Sequence, residues 1–359
     1  MRSAERAKKI LRAIEALQPQ NVSLMEVCGT HTMAIAASGI RSLLPPGVKL
    51  LSGPGCPVCV TPAEEIDAVL ELSAEPGVIL ASYGDMLRVP GSARGDSLLR
   101  RRALGADVRV VYSPVDAVRI AEENPQKEVV FLGVGFETTA PGTAAAVRTA
   151  AERNVKNFSV LSLLKSVEPA IRALLAMDDV RVDGFLCPGH VATIIGEEGF
   201  RFLPEEYRKP AVISGFEAED ILLSVYLLLQ QIREEKPAVQ NEYRRAVAPG
   251  GNPLAKQMIR TSFSLRTCSW RGLGEIENSG FALTEELAAF DAEKRFSLQR
   301  TSPVETGCRC GEVITGRIDP DSCPFFGKVC TPEDPIGPCM VSSEGACAAA
   351  YKYQETEYE

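Results

Sequence analysis

Apolar residues first recur at helical spacing. Ala7, Ile10, Leu11, Ile14 and Leu17 fall on one face of the segment 4–17, and Pro19 ends it. Short apolar runs follow at 23–27, 48–51, 77–81, 108–111, 129–133, 158–164, 184–187 and 211–214. Several close on Gly, Pro, Ser or Thr and lead into helical patterns at 62–72, 114–123, 142–153, 168–177 and 217–232. Such runs suit strands buried on both faces. Their alternation with helices predicts βαβ units and parallel sheets. In sheets of this kind ligands bind beyond the carboxyl ends of the strands, where the Gly- and Cys-bearing loops fall. From about 235 onward the pattern breaks up into a Cys-, Pro- and Gly-rich tail.

The chain also echoes itself. Cys28-Gly-Thr-His31 is followed by Gly39 to Pro45, Leu50 to Gly53 and Ala63-Glu-Glu-Ile66. Cys187-Pro-Gly-His190 is followed by Gly199 to Pro204, Val212 to Gly215 and Ala218-Glu-Asp-Ile221. The Cys, His and Pro of the two sets each lie 159 positions apart (28 and 187, 31 and 190, 45 and 204). Ordered self-similarity of this kind predicts two related α/β halves, each with a Cys-x-x-His turn after a strand.

Composition narrows the classes. The 359 residues are 45% hydrophobic, which is ordinary for a globular chain and excludes wholesale disorder. With 39 basic and 47 acidic residues the net charge is −8, a poor match to nucleic acid or an anionic membrane. The charged N-terminus has no signal-peptide core, and the apolar run 221–229 is too short to span a bilayer. A cytoplasmic location is expected. Thiols stay reduced there, so 11 cysteines beside 2 histidines argue for metal or redox chemistry before static disulfides.

Both histidines occupy the Cys-x-x-His turns. A Cys between a strand and a helix has its thiolate favoured by the helix N-terminus and a nearby imidazolium, as a soft metal ligand or a nucleophile. Gly53-Pro-Gly-Cys56-Pro-Val-Cys59 is a lone Cys-x-x-Cys running into a helix, which favours a redox pair over structural zinc or inert thiols. Gly133-Val-Gly-Phe-Glu-Thr-Thr139 lacks the third glycine of a dinucleotide loop. It reads as a tight turn with hydroxyl caps, able to place Glu137, Thr138 and Thr139 beside a small polar ligand. Cys308, Cys310, Cys323, Cys330, Cys339 and Cys347 crowd the tail at spacings that lack paired Cys-x-x-Cys knuckles, favouring iron–sulfur over zinc. Trp270 and its flanking glycines read as a packing turn, and Cys268 as a buried thiol.

Taken together, Glu26-Val-Cys-Gly-Thr-His31, Gly53 to Cys59, Gly135-Phe-Glu-Thr-Thr139, Cys187-Pro-Gly-His190 and the tail cysteines resemble the HypD family of hydrogenase maturation factors. The resemblance runs in order over essentially the whole chain. It implies two related Rossmann-like α/β domains with parallel sheets and a C-terminal Cys-rich iron–sulfur domain. The expected borders are 20–125, 126–235 and 236–359, with the helix 1–19 free to pack on the third. It implies assembly of the Fe(CN)2CO centre of nickel–iron hydrogenases, together with the small chaperone HypC. Cyanide would come from HypE, whose thiocyanate is made with HypF.

By the same resemblance Cys28 would hold the nascent iron. His31, Glu137, Thr138 and His190 would surround its diatomic ligands, donating hydrogen bonds or supplying protons. Cys56 and Cys59 would be a redox dithiol. Cys308, Cys323, Cys330 and Cys347 would bind a 4Fe-4S cluster, and Cys310 and Cys339 would form a second thiol pair. The competing reading is an iron–sulfur thiol–disulfide reductase acting on a protein partner through Cys56 and Cys59; a zinc-stabilised binding module is a third.

Overall fold

The structure is a computed structural model that describes residues 2–300 and 306–353. Its strands are β1 (Val22–Glu26), β2 (Val48–Ser52), β3 (Val78–Ser82), β4 (Asp107–Val110), β5 (Glu128–Gly135), β6 (Phe158–Leu164), β7 (Gly184–Pro188), β8 (Ala211–Ser214), β9 (Val239–Asn241), β10 (Phe263–Trp270) and β11 (Gly274–Leu283). One parallel sheet runs β2-β1-β7-β8-β9 and a second runs β4-β3-β5-β6, while β10 and β11 form an antiparallel hairpin. The expected α/β class with parallel sheets is therefore present. β3, β6, β7 and β8 are buried along their whole length, as their unbroken apolar runs require.

Sheet membership departs from the expected borders. The first sheet takes strands from both 22–52 and 184–241, and the second is an insertion spanning 78–164. A cut at 125/126 would separate β4 from β5, two strands that flank β3 in one sheet. Local periodicity reports that a segment is a buried strand, but not which strand it pairs with. β9 lies beyond 235 yet completes the first sheet. The two Cys-x-x-His turns likewise do not mark separate domains. They follow β1 and β7, which are neighbours in the same sheet. Both sheets are wound outwards from a central strand pair (β1/β7 and β3/β5), with one crossover to either side in the second sheet and a further one, β8 to β9, in the first.

The N-terminal helix Arg2–Ala16 packs on the first sheet's helix Ala218–Glu234, not on the tail. Its apolar face decides this. Ile14 is fully buried with Leu24, Val225 and Leu228, and Ile10 and Leu11 pack at the edge of the same cluster. Another apolar cluster runs through both sheets and the tail, including Met25, Cys56, Leu132, Ile171, Trp270 and Cys339. The tail is thus built into the core shared by the two sheets. Among the described residues no helix is long and apolar enough to cross a membrane. Ile14→Ala is expected to cost about 2–5 kcal/mol in urea unfolding. Leu104→Ala, at a side chain 76% exposed, should cost under about 0.5 kcal/mol. Equal costs would contradict the docking of the first helix.

Candidate functional site

In the first sheet the chain leaves β1 towards β2 on one side and leaves β7 towards β8 on the other. This opens a crevice at the carboxyl ends of β1 and β7, where ligands of α/β sheets bind. Cys28 lies there, in extended conformation at the N-cap of the helix Gly29–Ala37. Its amide donates to Glu26 Oε2 at 3.1 Å, and Thr32 Oγ1 donates to Glu26 Oε1 at 2.5 Å. Glu26 is fully buried, and burial pushes its carboxyl up to about 7. The loop after β2 presses against the same place. Gly29 N–H donates to Gly55 O at 3.0 Å, and Gly53 N–H to Glu26 O at 2.8 Å. A Cβ on Gly55 would collide with the Cys28 backbone, so only glycine fits.

That second loop carries Cys56 and Cys59, joined as a disulfide with their Cα atoms 5.2 Å apart. Both are buried. The pair sits in a turn ahead of the helix Ala63–Leu72 rather than within its first turn. The Cys28 thiol differs from expectation. Burial pushes it up to about 12, and the amides of His31 and Thr30 only partly oppose this. Nor is an imidazolium beside it, because burial holds His31 down at about 4.

His31 Nε2–H donates to Gly215 O at 2.9 Å, which fixes the tautomer and leaves Nδ1 an acceptor. That Nδ1 is buried and has no partner among the described residues. His31 therefore cannot supply a proton at neutral pH. His190, on the short helix Gly189–Ile195, is more exposed, and partial burial lowers its pKa. Phe216 joins the two histidines. Its ring centroid lies 4.7 Å from that of His31, tilted by 30°, and 3.9 Å from that of His190, on which it stacks. Sequence reasoning missed Phe216, although it directly follows the Ser214-Gly215 of the second echo. It also missed Glu344, from the tail, which accepts from Thr30 Oγ1 at 2.6 Å and crowds Gly29. Cys187 is buried in β7 and its thiol is pushed up by burial.

Glu137 and Thr138 follow the carboxyl end of β5 in the second sheet. Glu137 is buried, with Oε1 accepting from Ser166 Oγ at 2.8 Å and from Val167 N–H at 3.0 Å. Its Oε2 has no partner among the described residues, and burial raises its pKa. Thr138 is exposed. No hydrogen bond among the described residues joins either to Cys28, His31 or His190.

All six tail cysteines line one cavity with Val313, Phe325, Phe326, Ile336 and Met340. Within it the sulfurs of Cys310 and Cys339 are 2.9 Å apart and buried. Among the described residues, no three His, Cys, Asp or Glu side chains are grouped as a metal-ion site. The donors here are thiols alone, on apolar walls. That chemistry suits an iron–sulfur cluster better than a hard cation.

The chain matches the family model described as "Hydrogenase formation hypA family", that of HypD, over residues 5–354. It is 46% identical over 353 residues to hydrogenase maturation factor HypD2 of Bradyrhizobium diazoefficiens, covering 96% of this chain and 92% of the relative. Identity to hydrogenase maturation factor HypD of Azotobacter vinelandii is 46% over 348 residues, covering 95% and 92%. It is also 46% to that of Escherichia coli over 341 residues, covering 94% and 90%.

With only two histidines in the chain, nitrogen-15 NMR resolves each imidazole. His31 is expected to remain the neutral Nε2–H tautomer until the pH falls to about 4. A free imidazole binds its proton near pH 6.5. The unfolded chain therefore takes up a proton before the native state does, and this residue's contribution makes stability fall as pH drops from about 6.5 to about 4. An imidazolium at position 31 near pH 6.5 would contradict the assignment.

Proposed function

The chain belongs to the HypD family of hydrogenase maturation factors, and from that premise we propose that it holds the nascent iron of a nickel–iron hydrogenase while cyanide and carbon monoxide are added. The iron is cargo, bound between Cys28 and a cysteine of the small chaperone HypC. Cyanide arrives from HypE. The reading is carried by one observation: Cys28, the Cys56–Cys59 disulfide, His31 and His190 share the loops at one end of the first sheet. We take the reaction to be cytoplasmic.

Each residue then has a task set by its surroundings. Cys28 offers a soft sulfur suited to low-spin iron with strong-field ligands. Its thiol releases its proton when metal takes that place. Glu26, poised near neutrality, orients the Cys28 backbone through the 3.1 Å bond to its amide. His31 presents an acceptor, so it receives a hydrogen bond or a proton at Nδ1 instead of giving one. The more exposed His190 exchanges protons with solvent. Glu137 and Thr138, at the end of β5, would donate hydrogen bonds or supply protons to the diatomic ligands.

Cys308, Cys323, Cys330 and Cys347 would hold a 4Fe-4S cluster, which supplies single electrons when bound. Cys310 and Cys339 form a dithiol beside it. The Cys56–Cys59 disulfide accepts two electrons and two protons to become a dithiol. The alternative, reduction of a disulfide on a partner protein, has less support because Cys56 and Cys59 are 5% and 0% exposed. A partner's sulfur would have to reach them through packed side chains.

Infrared spectra of the anaerobically purified complex with HypC test the iron assignment. Cyanide and carbonyl stretching bands should be present in the native complex and absent in Cys28→Ala. Bands of native intensity in that variant would refute it. Cys56→Ser should abolish hydrogenase maturation while leaving iron and sulfide content unchanged; normal maturation would remove the dithiol from the pathway.

A further inference from the structure

β6 is buried along its whole length, and the residue that directly follows it, Lys165, is itself only 3% exposed. An ammonium taken so far from water ordinarily has a carboxylate beside it. Among the described residues Lys165 has none: Glu65 and Glu293 pair with Arg300 and Arg266 instead. Its Nζ donates to Ser269 O at 2.7 Å and to Cys268 Sγ at 3.4 Å, and stands 5.1 Å from the centre of the Trp270 ring. Burial lowers the pKa of Lys165, towards the neutral amine, whose lone pair is free.

Both members of this pair are held by backbone. Lys165 N–H donates to Gly135 O at 2.9 Å and Ser166 N–H to Ser279 O at 2.8 Å, and Lys165 forms an isolated antiparallel bridge with Gly280. A Cβ on Gly280 would lie 3.0 Å from Cys268 Sγ, so a side chain there would crowd the sulfur. Ser279 Oγ lies 3.2 Å from the same sulfur. That hydroxyl donates to Ile276 O and accepts from the Trp270 N–H, so towards Cys268 it is an acceptor for the thiol proton. Cys268 is half-buried, which leaves it open to a small oxidant.

We propose that Cys268 and Lys165 form a modification site, in which oxidation by a hydroperoxide joins sulfur to nitrogen as a sulfenamide and fastens the β10–β11 hairpin to the end of β6. The inference does not rest on the iron or thiol roles proposed above. Hydrogen peroxide oxidises the Cys268 thiol to the sulfenic acid S–OH, and one water leaves. The Lys165 lone pair then attacks sulfur. The S–N bond forms, the S–O bond breaks, and the departing hydroxide takes an amine proton to become a second water. The pair loses two electrons in all and one peroxide is consumed. Two molecules of a small thiol reverse the link, restoring thiol and amine and leaving as their own disulfide. A nitrogen 3.4 Å from the sulfur already stands at a near-attack separation, which favours this amine over dissolved nucleophiles. The link would brace the turn that carries Glu137 from both sides. Ser166, beside Lys165, donates to Glu137 Oε1 at 2.8 Å, and Trp270, two residues after Cys268, stacks 6.1 Å from Phe136.

The test exposes the anaerobically purified full chain to hydrogen peroxide and reads a tryptic digest, kept free of added thiol, by mass spectrometry. Residues 157–172 and 267–271 should appear as one species, lighter than their sum by two hydrogens and uncut after Lys165. Dithiothreitol should separate them. Lys165→Arg keeps the charge and removes the amine. The joined species should vanish in that variant, and dimedone, which traps sulfenic acid, should label Cys268 about tenfold more than in the native chain. The native digest decides the question even if the variant does not fold. Native Cys268 recovered only as free thiol, sulfinic acid, dimedone adduct or disulfide overturns the proposal. So does a joined species that retains oxygen, or one formed equally in the urea-unfolded chain.

Discussion

The site depends on the contact between Gly55 and the backbone of Cys28. β1 is a central strand, so its last residues are hemmed in by β2 on one side and β7 on the other. The loop after β2 can cross Cys28 closely enough to bond Gly29 and Glu26 only because position 55 has no side chain. That crossing sets Cys56 and Cys59 beside Cys28. It also seals Glu26 away from water, where its carboxyl survives by accepting the Cys28 amide and the Thr32 hydroxyl. Burial costs a carboxylate more than a carboxylic acid, which is why Glu26 is lifted to about 7.

The nested topology explains how distant segments reach this point. Inserting the second sheet between β2 and β7 leaves β1 and β7 adjacent, so two turns 159 positions apart stand side by side. Phe216, on the loop after β8, then fills the space between their histidines. The tail closes the arrangement from outside, through Glu344 on Thr30 and through Gly311 against the hairpin tip. Because one apolar cluster includes residues of both sheets and the tail, these loops are held by a common core.

Much of this was legible in the residues alone. The strands from 23–27 to 211–214 correspond to β1 through β8, since continuous apolar runs have few other uses in a chain of this composition. The Cys-x-x-His echo located both histidines of the crevice. Sheet membership was not legible, because pairing is decided by contacts between segments far apart in sequence. Phe216 and Glu344 were missed for the same reason: neither carries a spacing signal, and each matters only through what it meets. Cys28 was misjudged in its protonation. A helix N-terminus is visible in sequence, whereas the burial that outweighs it is not.

The most direct test of the central claim is the iron-57 Mössbauer spectrum of the Gly55→Ala variant, purified anaerobically with HypC. Cys28, both histidines and all tail cysteines remain present in that variant. The account predicts that the cluster signal persists while the additional low-spin iron of the native complex is lost, because the added methyl displaces the Cys28 backbone. Both signals at native intensity would contradict it.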